Sequence, residues 1–157
     1  MKVCINSCYG GFSLSSRGLK AYCGRKGIPC NFFKRSGNKG PFIRITDEEA
    51  FADKGLFGAI AFRCELPSEI HSQDGWLSMG QEQRQANNEA YEAMSCPYSR
   101  DIPRDDPDLI AVVESLGDAA NGSCAQLRIV EIPDGTNWEI EEYDGNEHVA
   151  EIHATWR

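Results

Sequence analysis

The chain has 157 residues, 41% hydrophobic and 25% charged, the make-up of one soluble globular domain large enough to bury a core without covalent staples. Its 16 basic residues against 24 acidic ones give a formal charge of −8, which excludes a dedicated binder of nucleic-acid polymers, because phosphate neutralisation needs clustered Lys and Arg. No apolar run approaches the roughly 20 residues of a membrane span, the segment after Met1-Lys2 is too short for a signal peptide, and seven scattered cysteines point to a reducing, cytoplasmic compartment rather than a disulfide framework.

Val3-Cys4-Ile5-Asn6-Ser7-Cys8-Tyr9 reads as a strand running into a Gly10-Gly11 turn. Ser13, or else Ser15, then caps a helix through about Lys26, with Leu14, Leu19, Tyr22 and Cys23 near one face. Gly27 ends it as a C′ residue and Pro29 forbids continuation. Cys30 to Lys34 and Pro41 to Ile45 are expected as two strands joined by a hairpin loop. Thr46 with Glu49 makes a capping box for a helix of about two turns, and Ala59 to Arg63 follows as a strand.

The stretch from about Glu65 to Arg104 is more polar and reads as an excursion, a lid or an oligomer contact, with some helix between Gly80 and Met94. Asp105-Asp106-Pro107 then opens a helix with strong N-terminal chemistry, its buried side formed by Leu109, Ile110, Val112, Val113 and Leu116. Ala125 to Ile132 and Trp138 to Tyr143 alternate apolar and polar around the turn Pro133-Asp134-Gly135, which predicts a hairpin. Gly145 releases a final helix, with Val149, Ile152 and Trp156 inward. The sum is an α+β (or α/β) single domain, with a mixed sheet of about five or six strands and three main helices.

Two regions could carry chemistry. In Tyr9-Gly10-Gly11-Phe12-Ser13-Leu14-Ser15 a strand, a glycine pair and a serine-capped helix put free N–H groups at a positive helix end, a geometry that favours an anion. Tyr9 and Phe12 could flank a ring; equally, the glycines simply make a turn and the aromatics pack inside. In the run from Trp138 to His148, Glu142 sits at the edge of an apolar face, and Asp144 with Glu147 fits a capping box or, alternatively, a polar ligand or proton transfer. Arg104 either pairs with the aspartates after it or points into a cleft as an anion ligand. Nine of the 16 basic residues lie in the first 45 positions, an asymmetry suited to an anionic small molecule or to a solvated face. His148 and His153 would lie about 140° apart on a helix. With no CxxC present either, neither a metal nor a cofactor is expected.

The segment from Ile5 to Ser15, together with Ile102 to Leu109 and Val130 to Trp156, resembles a family of small proteins encoded by phages and prophages. A basic residue is expected before Thr155, where this chain has Ala154, which puts any anion contact from that position in doubt. The resemblance implies an accessory protein acting in a bacterial host cytosol. By analogy with that setting, the expected function is sequestration of a nucleotide-derived immune signal, such as a cyclic nucleotide or an ADP-ribose-type molecule, by a homo-oligomer. The ligand-binding candidates are Asn6, Tyr9, Gly10, Gly11, Phe12, Ser13, Ser15, Arg104, Trp138, Tyr143, Asp144 and Glu147. The alternatives are a hydrolase of such a nucleotide using Glu142, Asp144 or Glu147 as general acid or base, and a direct protein inhibitor of a host defence enzyme.

Overall fold

A computed structural model describes residues 1–36, 42–53, 59–65 and 79–153. The β1 strand, Lys2–Asn6, enters the core at once, and helix α1, Ser16–Arg25, follows the glycine turn. Of the two candidate caps Ser15 is the one used: its hydroxyl accepts from Gly18 N–H at 3.0 Å. Strands β2 (Asn31–Arg35), β3 (Phe42–Ile45) and β4 (Ile60–Phe62) form one antiparallel sheet in the order β3-β2-β4. Between β3 and β4 lies α2, Asp47–Ala52, opened by the expected reciprocal capping box of Thr46 and Glu49. The expected loop between β2 and β3, His71 and the terminal Trp156 fall outside the described residues.

Helix α3, Gln81–Met94, buries none of its residues. It is held at its C-terminal end, where Tyr91 packs edge-on to Phe62 with ring centroids 5.1 Å apart and Cys96 N–H donates to Ala61 at 3.0 Å. Helix α4, Pro107–Leu116, has Asp106 as N-cap and Pro107 in its first turn, as its sequence dictates, and ends at Gly117. Strand β5, Leu127–Glu131, follows, then β6, Trp138–Tyr143, and β7, Asn146–Glu151.

The α+β class stands, but among the described residues the seven strands divide into three small sheets, and every pairing is antiparallel. The expected β5–β6 hairpin does not form. Strand β5 pairs instead with β1 (Val3 opposite Val130, Ile5 opposite Arg128), and Pro133-Asp134-Gly135 only redirects the chain. The expected final helix is strand β7, paired with β6 from Trp138–Glu151 to Tyr143–Asn146. Asp144 at φ 50° and Gly145 at φ 84° make the two-residue turn between them, the left-handed pair that an Asp-Gly hairpin needs.

Two hydrophobic clusters share α1. Tyr22 joins Cys4, Ile102, Leu109, Val112, Val113 and Ala120, where α1 and α4 meet the β1–β5 ribbon. Cys23, one position on, joins Cys30, Phe32, Ala50, Ala61 and Cys96 beneath the three-stranded sheet. Consecutive helical positions diverge by about 100°, so one helix can bury into both clusters. No described helix is long and apolar enough to cross a membrane.

Candidate functional site

The structure gathers several expected ligand residues, but onto one another. Glu147, on β7 and 8% exposed, receives a bidentate pair from Arg104 at 3.0 and 2.8 Å and the backbone N–H of Asn6 at 2.7 Å. The Arg104 guanidinium lies over the Phe12 ring, its Cζ 3.3 Å from the centroid. Thus Arg104 pairs neither with Asp105 nor with Asp106, but with a carboxylate 43 residues away. Asn6 is fully buried, with its Nδ2 donating to the Gly145 and Cys8 carbonyls at 2.6 and 2.8 Å and its Oδ1 accepting from Gln126 N–H at 2.8 Å. Beside this network burial pushes the Cys4 thiol up to about 12, so it stays protonated at neutral pH.

The glycine pair serves the same junction. Gly10 and Gly11 have φ of 152° and 96°, and a Cβ on Gly145 would stand 2.4 Å from Gly11 N and 2.6 Å from Gly10 N. The turn after β1 and the β6–β7 turn therefore meet backbone against backbone. Beside this junction Tyr9 and Tyr143 are exposed, whereas Trp138 is half-buried at the far end of the β6–β7 hairpin, opposite Glu151. Glu142, expected at a desolvated edge, is exposed and accepts from Gly145 N–H at 2.9 Å. Asp144 is exposed at the turn and caps no helix.

Ser13 and Ser15 stand apart from that junction, in the wall of a cleft of about 630 Å³ at the N-terminus of α1. Ser16, Arg17, Phe51 and Asn121 also line it. The Arg17 guanidinium lies 4.9 Å from the centroid of the Phe51 ring, and among the described residues no carboxylate pairs with it. Gly18 N–H is taken by the Ser15 cap, while the first-turn N–H groups of Ser16 and Arg17 have no partner among the described residues. The opposite wall, the turn Gly117–Ala120 with Asn121, is fastened by Ser15 N–H to the Ala120 carbonyl at 2.8 Å and by the Ser15 hydroxyl to Ala119 at 2.6 Å. Asp118 presents a carboxylate there; Asn121 is committed, its Oδ1 accepting from Leu127 N–H at 2.9 Å and its Nδ2 donating to Asp118 at 3.5 Å, and Asp53 is bound by Lys34.

Three residues that the sequence reading passed over also converge. Cys23 of α1, Cys30 just before β2 and Cys96 just after α3 are all buried, with sulfur atoms within 4.8 Å of one another. The neighbouring Cys30 and Cys96 thiols hold the pKa of Cys23 well below the ordinary thiol value, and the Cys96 thiol itself donates to the Pro29 carbonyl at 3.5 Å. Donation to Cys23 and burial in turn raise the pKa of Cys30. Cys23 and Cys30 flank the Gly27 to Pro29 turn, a local signal that they could meet; Cys96 lies 66 residues further on and carries none.

Comparison with family models, with curated proteins and with solved structures finds no match for this chain.

Proposed function

We propose that the protein binds and sequesters a nucleotide-derived small molecule in the cleft at the α1 N-terminus, as a phage-derived accessory protein acting against a host defence signal. The observation that carries this reading is the Arg17 guanidinium, stacked on Phe51 and unpaired among the described residues, next to a helix start with two uncommitted N–H groups. Phosphate is stabilised at such a helix end by the N–H groups and the dipole together. A base can share the Phe51 face, and the Asp118 carboxylate supplies acceptors for ribose hydroxyls. A cleft of about 630 Å³ falls within the size range of small-ligand sites.

The binding residues move from Asn6, Arg104 and Glu147 to Ser13, Ser16, Arg17 and Phe51, because the first three are committed to one another and Ser15 is taken up by Gly18, Ala119 and Ala120. No observation favours hydrolysis by the expected carboxylates: Glu147 is neutralised by Arg104, and Glu142 and Asp144 face solvent. A homo-oligomer would close the open side of the cleft, with the segment from 65 to 104 as the expected interface.

The test is depletion of the defence signal from lysate of activated bacteria. Wild-type protein should remove it, and heating the protein should return it intact. Arg17→Glu, an exposed change, should leave folding intact and reduce depletion at least tenfold. Equal depletion by a folded Arg17→Glu variant would overturn the site, and return of a cleaved product would make the protein an enzyme.

A further inference from the structure

The cysteine cluster lies outside the cleft and has no part in the proposed function. We propose that Cys23, Cys30 and Cys96 form a three-thiolate site for a single thiophilic cation, with Cu(I) the ion whose coordination it matches.

Three observations support this. The donors are of one soft type, and thiolates select Cu(I), zinc and iron–sulfur clusters over harder ions. With a metal–sulfur bond of about 2.3 Å, a planar three-coordinate ion needs sulfurs about 4.0 Å apart. The three sulfurs lie within 4.8 Å of one another, so small side-chain rotations close the distance. Among the described residues no fourth His, Cys, Asp or Glu joins the group, and the three cysteines are no more than 5% exposed. Structural zinc takes four protein ligands and catalytic zinc keeps an open, wet position. A closed trio suits an ion content with three sulfurs.

The surroundings also suit the charge. One Cu(I) with three thiolates carries a net charge of −2, and the remaining thiol protons leave to solvent as the ion enters. Arg63 and Lys20 act on the Cys23 sulfur as positive charges and favour its ionised form. Both are anchored beside the trio: Arg63 Nε donates to the Ser95 carbonyl at 2.9 Å, and Lys20 Nζ to the Cys30 carbonyl at 2.6 Å. The architectural consequence concerns α3, which buries no residue of its own. Through Cys96 an ion would fasten the end of that helix to α1 and to the start of β2.

The test uses full-length protein with the exposed cysteines replaced, Cys64→Ser and Cys124→Ser, loaded with Cu(I) under anaerobic reduction. One Cu(I) per chain should survive competition with a Cu(I)-specific chromophoric chelator. Cys23→Ala, Cys30→Ala or Cys96→Ala should each lower retention at least a hundredfold. Because a core variant can lose its fold, X-ray absorption at the copper edge of the loaded parent decides independently. Three sulfur scatterers at about 2.3 Å are expected, with a higher Tm than the metal-free protein. Two sulfurs, nitrogen or oxygen ligands, or copper lost entirely to the chelator would overturn the proposal. So would a preference for four-coordinate zinc.

Discussion

At the scale of single residues, Glu147 decides how the C-terminal hairpin is attached. A carboxylate this buried is tolerable only while Arg104 and the Asn6 N–H satisfy it, and removing one partner of such a pair typically costs about 3–5 kcal/mol. Glu147→Ala and Arg104→Ala should each lower the unfolding free energy by that much, read from urea titrations. The double variant should lose far less than the sum, since neither charge is then left alone. Asp106 sets a second residue-level expectation. Burial pushes its carboxyl up, but hydrogen bonds from Lys26, from the N–H groups of Asp108 and Leu109, and from Tyr22 outweigh that and hold it below the ordinary aspartate value. A carboxyl lowered in the folded state stabilises fully above its unfolded value and loses that contribution as pH falls through the folded one. Stability should therefore be insensitive to Asp106 between pH 5 and 8 and should drop below about pH 4. Asp106→Asn, which keeps a cap acceptor, should flatten part of that drop, whereas Asp106→Ala should cost a further ~1 kcal/mol of capping at every pH. Urea titrations from pH 3 to 7 read both effects.

At the scale of elements, what the sequence disclosed depended on whether the signal was local. Thr46 and Glu49, Asp106 and Pro107, and Gly27 are local chemistry, and each element end they mark stands where expected. Asp144-Gly145 carries two local readings. Asp144 with Glu147 three residues on fits a capping box, while Asp-Gly between alternating strands fits a two-residue hairpin. The hairpin prevails because it delivers Glu147 to Arg104, a contact invisible in any local window. Strand β5 likewise takes β1 as its partner across more than 120 residues, which no turn signal encodes. The Gly145→Ala substitution separates the two readings. In a helix it would be neutral or stabilising. In this hairpin it forces a Cβ to 2.4 Å from Gly11 N at a left-handed backbone position and should cost at least about 2 kcal/mol, measurable as a lower Tm.

At the scale of the whole molecule, two of the three small sheets pack on clusters that share α1, the β6–β7 hairpin is pinned to β1 through Glu147, and the shared helix starts at the cleft. The anion-favouring helix start was legible in Ser13 and Ser15, whereas Phe51 and Asn121 reach the cleft through tertiary packing alone. On the proposed function, this cleft holds a nucleotide-derived molecule without changing it. The most direct measurement is mass spectrometry of small molecules released by heating protein recovered from lysate of defence-activated bacteria. One intact phosphorylated nucleotide derivative is expected, in fixed stoichiometry with the chain from wild-type protein and absent from folded Arg17→Glu. A correctly folded wild-type sample that releases nothing, or releases only hydrolysis products, would contradict that function.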